Sequence, residues 1–124
     1  MFTRLNEGKR AGEFIVWEVD PRWTRGKIEV TAPADKPVQP GTVVQDPNDP
    51  DVAAGVTIYE VNRGRTKVTS IIKSGPAIVN ENLLTFPIVT GDVAATDALR
   101  ATLIADLETK DIRVEPEGGN EIVL

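Results

Sequence analysis

The stretch Gly12-Glu13-Phe14-Ile15-Val16-Trp17-Glu18 decides the fold class of this chain. It is a short run of β-branched and aromatic residues entered through a glycine, a composition typical of strands in small antiparallel β proteins. Two later phrases repeat this composition, Pro40-Gly41-Thr42-Val43-Val44 and Ala53-Ala54-Gly55-Val56-Thr57-Ile58-Tyr59-Glu60-Val61. The three phrases predict an α+β protein that is mostly β, folded as a small compact antiparallel barrel or sandwich-like subunit.

The alternation of side chains from Glu13 to Val19 predicts the first strand. Successive side chains of a strand point to opposite faces. One face then carries Phe14, Val16 and Glu18, and the other carries the residues that we expect in the core, namely Ile15, Trp17 and Val19. Asp20-Pro21 ends the strand, because proline lacks the backbone donor that a ladder needs.

Further strands are predicted at Lys27 to Thr31, Thr42 to Gln45, Val52 to Val61, Thr66 to Lys73, Ala77 to Asn80 and Asp111 to Glu115. The turn composition of Asn62-Arg63-Gly64-Arg65 indicates that the two strands flanking it pair as a hairpin. One helix is predicted from Ala94 to Leu107, with Asp92 or Thr96 as its N-cap and a narrow apolar stripe of Leu99, Leu103 and Leu107.

Composition divides the chain into three parts. Residues 1–12 are polar and basic, with only Phe2 and Leu5 to bury, so they are predicted to form a flexible arm. Residues 13–115 contain the predicted strands and helix and have the size of one domain. Residues 116–124 extend past the last predicted strand.

The absence of two residue types restricts the chemistry of this protein. The 124 residues include no cysteine and no histidine, which removes thiolate catalysis, disulfides and the commonest general base and metal ligands. The net charge of −5 argues against nucleic acid as a partner. No apolar run approaches the ~20 residues of a membrane helix. The sequence therefore predicts neither an enzyme nor a cofactor, and no membrane partner.

Two acidic features were considered as sites. The segment Asp46-Pro47-Asn48-Asp49-Pro50-Asp51 has oxygen ligands for a hard cation, but it lacks the EF-hand spacing and the glycine at the bend. We interpret it as a solvated turn and predict no metal. The carboxylate pairs Glu13 with Glu18 and Asp49 with Asp51 have the residue types of an acid–base pair, but we interpret them as hydrated surface.

Two tryptophans lie close to several cations in the sequence. Trp17 and Trp23 near Arg22, Arg25 and Lys27 would suit stacking on bases with cations along the phosphates. We favour another interpretation, in which Trp17 belongs to the core. Arg22, Trp23 and Arg25 then form a surface or subunit contact.

The order of four phrases resembles the bacteriophage head decoration proteins of the lambda D type. These are GEFIVWEV at residues 12–19, PGTVV at 40–44, AAGVTIYEV at 53–61 and KSGPAIVNENLL at 73–84. The resemblance runs from about Gly12 to Val114. It departs from the family where Asp46 to Asp51 replaces a commonly longer, glycine-rich insertion, and where residues 116–124 extend beyond the match.

The resemblance implies a structural virion protein that binds the outside of the expanded capsid as a homotrimer and cements the shell. The implied partners are the major capsid protein and further copies of this chain, and the implied location is the capsid exterior, reached from the host cytoplasm during assembly. The arm would contact the capsid through Phe2, Arg4, Leu5, Lys9 and Arg10. Two alternatives stay open, a phage adaptor or fibre-base module and a small ligand-binding barrel or enzyme.

Overall fold

A computed structural model describes residues 10–116 of the chain. The predictions for Phe2, Arg4, Leu5 and Lys9 lie outside the described residues. In chain order the elements are β1 Ile15–Glu18, α1 Pro21–Thr24, β2 Arg25–Thr31, β3 Val43–Asp46, β4 Asp49–Thr57, β5 Thr66–Ile72, β6 Ala77–Asn80, a 3-10 turn at Glu81–Leu83, α2 Val93–Thr109 and β7 Ile112–Glu115.

The strands form two sheets, and the predicted α+β, mostly β class is confirmed. The first sheet has the order β1-β6-β7 and the second has the order β2-β5-β4-β3. All pairs are antiparallel except β6 with β7, which is parallel. The barrel form of the prediction is wrong, because closure requires a continuous ladder of strands. Within residues 10–116, no such ladder joins the two sheets.

The main core lies between the two sheets and helix α2. Leu103 and Leu107 of α2 are fully buried and Leu99 is half-buried, so the predicted leucine stripe is confirmed. The helix begins where the sequence predicts, because the Asp92 side chain accepts a hydrogen bond from the Ala95 backbone N–H at 2.9 Å. The stripe packs on residues of both sheets, among them Phe14, Val56, Ile72, Val79 and Ile112.

Strand β5 has a different main partner from the one predicted. The turn at Asn62–Arg65 is present, with the Arg65 N–H donating to the Asn62 carbonyl at 3.1 Å. However, β5 pairs with β2 along its whole length, from Thr31↔Thr66 to Arg25↔Ile72, and with β4 at only two positions. The reason is that β4 ends at Thr57, while Val61 is paired with Val38 in a separate bridge.

A bulge in β1 overturns the predicted facing of that strand. Ile15 pairs with Val79 and Trp17 pairs with Ile78, so three residues of β1 oppose two of β6. One extra residue shifts the alternation, and the side chains beyond it change face. Ile15 remains half-buried against the core, but Trp17 and Val19 are exposed, and the prediction that these two are core residues is wrong. Phe14 is the buried aromatic residue of this segment.

The Pro40-Gly41 turn places the chain against Phe14. Gly41 has a φ of +87°, and a Cβ at this position would lie 2.5 Å from the Leu83 carbonyl oxygen and 3.6 Å from a ring carbon of Phe14. Both the backbone angle and the close approach require glycine here. The phrase PGTVV is thus explained by the packing of the main core.

Candidate contact surface

Four large apolar side chains on β1, α1 and their connection are exposed. Trp23 is 68% exposed and Trp17 is 49% exposed, and Val16 and Val19 are also exposed. We call Val16, Trp17, Val19 and Trp23 the tryptophan surface. Exposed aromatic residues in this density are typical of contact surfaces between proteins, where tryptophan is enriched. The predicted contact residue Trp23 is therefore exposed, and so is Trp17, which sequence reasoning had assigned to the core.

Trp17 lies on the outer face of the three-stranded sheet. It pairs with Ile78 of β6, and Ile78 pairs with Arg113 of β7. Directly opposite residues of adjacent strands share a face, so the three side chains form a row across the sheet. Ile78 is half-buried and Arg113 is exposed. The outer face thus offers an aromatic edge next to an aliphatic centre and a cation.

Helix α1 holds Trp23 in place. The Asp20 side chain accepts a hydrogen bond from the Arg22 backbone N–H at 2.9 Å, and Pro21 occupies the first turn. Thr24 is fully buried, and its carbonyl accepts from the Lys73 N–H at 2.8 Å. One side of the single turn is therefore fixed to the body, and Trp23 is left on the exposed side.

The predicted contact residue Arg22 is mostly solvated. Its guanidinium lies 2.8 Å from the Asp20 carboxylate, while its side chain is 84% exposed. The hydrogen bond from the Arg22 side chain lowers the pKa of Asp20 below its ordinary value. Arg22 therefore adds an accessible cation beside Trp23.

The other predicted contact residue, Arg25, belongs to a partly buried cluster. Its Nη2 lies 2.5 Å from Glu18 Oε1, and the Thr24 hydroxyl lies 2.5 Å from Glu18 Oε2. Burial of Glu18 raises the pKa of its carboxyl, but hydrogen bonds from Arg25 and Thr24 outweigh burial and leave that pKa below its ordinary value. The cluster fastens the end of β1 to the start of β2, a role that sequence reasoning did not find.

The arm joins the body next to β1. The Gly12 N–H donates to the Ile58 carbonyl at 3.1 Å, and the Ile15 N–H donates to the Gly12 carbonyl at 3.0 Å. Arg10, the one predicted arm contact within the described residues, is exposed, and its backbone N–H donates to the Glu13 carboxylate at 3.3 Å. Arg10 therefore lies close in the chain to the amino end of β1, the strand that carries Val16 and Trp17.

A second apolar surface lies at the start of helix α2 and was not predicted. We call it the helix groove, and its apolar walls are Pro50, Pro87, Ile88, Val89, Ala98 and Leu99. Ile88 is 75% exposed, and the neighbouring Val93 is also exposed. The signal in the sequence was the run Pro87-Ile88-Val89, which places branched apolar residues where no strand or helix is predicted.

The acidic segment Asp46 to Asp51 is a hairpin turn with strand residues on both sides. The Asp46 and Asp49 carboxylates accept hydrogen bonds from the backbone N–H groups of Asn48 and Asp51, at 2.8 Å and 3.1 Å. The predicted loop is therefore shorter than expected, because β3 and β4 extend into it. Within the described range 10–116, no group of three or more acidic side chains is placed to hold a metal ion.

The partly buried carboxylate of Asp106 stabilises the packing of helix α2. Asp106 of α2 accepts a hydrogen bond from the Ala53 N–H at 2.8 Å and pairs with Lys110. Burial raises the pKa of Asp106, but the hydrogen bonds from Lys110 and Ala53 lower it below its ordinary value overall. These contacts fasten the helix to β4.

The helices were compared with the requirements of a membrane span. In the part of the chain that the structure describes, none is both long enough and apolar enough to cross a bilayer.

The chain was also compared with known proteins. No protein family model, no curated protein and no solved structure matches it.

Proposed function

We propose that the protein is a phage capsid decoration protein, which binds the outside of the expanded shell as a homotrimer and cements it. The resemblance of the four sequence phrases supports this proposal, as does the mostly β fold. The observation that carries it is the tryptophan surface. A small acidic protein that exposes Trp17 and Trp23 with Val16 and Val19 has the composition of a subunit contact.

The energetic argument rests on the exposed aromatic residues. Tryptophan is among the residues that contribute most to binding when a partner covers them, because it brings a large area with few rotatable bonds. Covering about half of the Trp17 side chain and most of Trp23 would remove a large apolar area from water. Arg22 next to Trp23 adds a cation at the rim of the same surface.

The edge position of β1 supports a second contact, made by the arm. Among residues 10–116, β1 pairs only with β6 in its sheet, so no described strand lies along its other side. An added strand gains main-chain hydrogen bonds that depend little on side-chain identity. In the proposal, residues 1–9 pair with a strand of the major capsid protein. The tryptophan surface meets another copy of this chain.

A trimer would strengthen weak contacts with the shell. Once one arm is bound, the other two are held near their sites at a high effective concentration. Bridging several capsid subunits adds contact area where an expanded shell separates. The mechanism needs no reaction and no cofactor.

The test is the occupancy of isolated expanded shells by purified protein. We expect saturation by the wild type and a loss of at least tenfold in affinity for a variant that lacks residues 2–9. This deletion keeps Arg10 and Gly12, whose hydrogen bonds belong to the body. The double variant Trp17→Ala with Trp23→Ala should also bind more weakly and should no longer trimerise. Val68→Ala is the matched control, because Val68 is 60% exposed on the other sheet.

Salt and chelation separate this mechanism from its rivals. EDTA should leave occupancy unchanged, and raised salt should weaken it only in part, since salt screens the basic residues and not strand pairing. Saturation by the arm deletion, or detachment by EDTA alone, would overturn the proposal. A copy number of only a few per particle would favour an adaptor.

A further inference from the structure

The helix groove has fixed walls. The Thr96 hydroxyl accepts a hydrogen bond from the Val89 N–H at 2.9 Å and lies 2.9 Å from the Asp92 carbonyl oxygen. These contacts hold the segment Val89 to Asp92 against the first turn of α2. Pro50 of β4 forms part of the opposite wall, and its carbonyl accepts from the Gln45 side-chain amide at 2.9 Å. Because hydrogen bonds hold its walls in place, the groove can bind an apolar segment without a change in its own conformation.

β7 ends beside the point at which the chain leaves β6 and continues to this groove. β6 and β7 are parallel, and Glu115 pairs with Asn80, so both strands leave the sheet at the same end. The chain after Asn80 continues through Glu81, which forms an ion pair with Arg100 of α2 at 2.7 Å. The guanidinium of Arg100 lies 4.5 Å from the centre of the Phe86 ring.

Those contacts link Glu81, which follows β6, to residues that adjoin both walls of the groove. Leu99, next to Arg100, lines one wall, and Pro87 and Ile88, next to Phe86, line the other. Parallel strands are about 4.8 Å apart, so Glu115 at the end of β7 lies about that far from Asn80. The next residue after Asn80 is Glu81, which forms the ion pair with Arg100 of α2. Eight residues follow Pro116 in the sequence, and eight extended residues span up to about 26 Å.

We propose that the segment Glu121-Ile122-Val123-Leu124 of the same chain binds in the helix groove, with its apolar side chains against Ile88, Val89 and Leu99. The composition of residues 117–124 fits this path. Gly118-Gly119-Asn120 supplies residues suited to a change of direction, and Ile122, Val123 and Leu124 follow as an unbroken apolar run. Burial of three branched aliphatic side chains offsets the entropy of ordering a short segment.

The proposal is independent of the proposed function. No residue that lines the helix groove belongs to the tryptophan surface, so the binding of residues 121–124 leaves that surface available. The segment would cover Ile88, which is the second most exposed large apolar residue of the described range.

Disulfide trapping in the full chain tests this proposal, because the protein has no cysteine of its own. The test variant carries Ile88→Cys and Val123→Cys. The control variant carries Val68→Cys and Val123→Cys, which places the second thiol at an exposed valine of β5 that does not line the groove. Under mild oxidation we expect an intramolecular disulfide in the test variant at least about tenfold faster than in the control, because docking raises the effective concentration of the two thiols.

Amide exchange gives a second measurement without cysteines. Residues 122–124 should exchange more slowly in the wild type than in Ile88→Asp, in which a carboxylate lies in the apolar groove. Ile88 is largely exposed, so this substitution should leave the fold intact. Equal disulfide rates in the two cysteine variants, or equal exchange with and without Ile88→Asp, would overturn the proposal. Disulfides formed only between chains would also overturn it, since the occupant would then be a second copy.

Discussion

Phe14 and Trp17 are three residues apart and belong to the same apolar phrase, yet Phe14 is buried and Trp17 is exposed to solvent. Phe14 is 1% exposed and packs in the main core, whereas Trp17 is 49% exposed on the outer face of its sheet. Phe14 precedes β1 and lies in a turn, and the extra residue in β1 turns Trp17 away from the face of the half-buried Ile15.

This contrast shows how one short segment can be buried at its start and exposed at its end. The part of the segment before the bulge supplies Phe14 and Ile15 to the core. The part after the bulge presents Trp17 and Val19 to the outside, while Glu18 is held by Arg25 and Thr24. A regular strand with this sequence would have placed Ile15, Trp17 and Val19 on one face.

The largest expected effect is the loss of the buried ring. Phe14→Ala should destabilise the protein by about 3–5 kcal/mol, since it empties an aromatic site in the core. Trp17→Ala is the matched control and should cost only about 1 kcal/mol, because the indole is already half in water. Urea unfolding of both variants measures the two values. Similar costs for the two substitutions would mean that Trp17 is buried in the isolated protein after all.

The next effect tests the backbone that packs on Phe14. Gly41→Ala should cost about 2–3 kcal/mol, because the new methyl group would meet the Leu83 carbonyl in a backbone conformation that alanine disfavours. Gly64→Ala is the control. Gly64 also has a positive φ, of +72°, but nothing lies within 4 Å of its added carbon, so we expect about 1 kcal/mol. Thermal unfolding of both variants measures the two costs. The cost of Gly64→Ala reports the backbone angle alone, and the extra cost of Gly41→Ala reports the contact with the Leu83 carbonyl.

The third prediction concerns the exposed side of the comparison. Trp23→Ala should leave the free energy of unfolding within about 0.5 kcal/mol of the wild type, because Trp23 is mostly solvated in the single chain. It should nevertheless weaken self-association by about tenfold or more, which is the loss of affinity expected when a side chain buried in a subunit contact is truncated. Analytical ultracentrifugation measures the association. Unchanged association in Trp23→Ala and Trp17→Ala would remove the tryptophan surface from the subunit contact.

The smallest effect concerns pH and the cluster after the bulge. The pKa of Glu18 is held below its ordinary value of 4.5, so the folded state favours the ionised carboxylate. The stabilisation from this group is therefore present above about pH 4.5 and is lost as the pH falls through the lower pKa of the folded state. We expect Glu18→Gln to lose less stability than the wild type between pH 6 and pH 3. Glu108→Gln, at an exposed helix position, should behave as the wild type does.

The regular elements of this fold could be predicted from the sequence. The leucines at 99, 103 and 107 and the cap Asp92 define α2, and the composition of Ala77 to Asn80 defines β6. These features depend on residues that are close together in the sequence, so they can be predicted from a short stretch of it. The facing of Trp17 could not be predicted, because a bulge is decided by the partner strand about sixty residues later.

The same reason limits the prediction of the sites. Turn composition at Asn62 to Arg65 indicated a hairpin of β4 with β5. It could not show that β5 pairs with β2 along its whole length and with β4 at only two positions. The helix groove depends on three segments that are distant in sequence, around Pro50, Ile88 and Leu99. Trp23 was correctly expected at the surface, because a proline and a cap residue precede it and interrupt the strand.

The pairing of β1 with β6 has a consequence for synthesis on the ribosome. Ile15 pairs with Val79, so the first strand has no partner until about sixty further residues have been made. At 5–20 residues per second that delay is roughly 3–13 s. During this interval Phe14 has no core to enter, and the nascent chain carries it uncovered beside Trp17. We therefore expect translation pauses before residue 80 to increase the capture of this chain by chaperones.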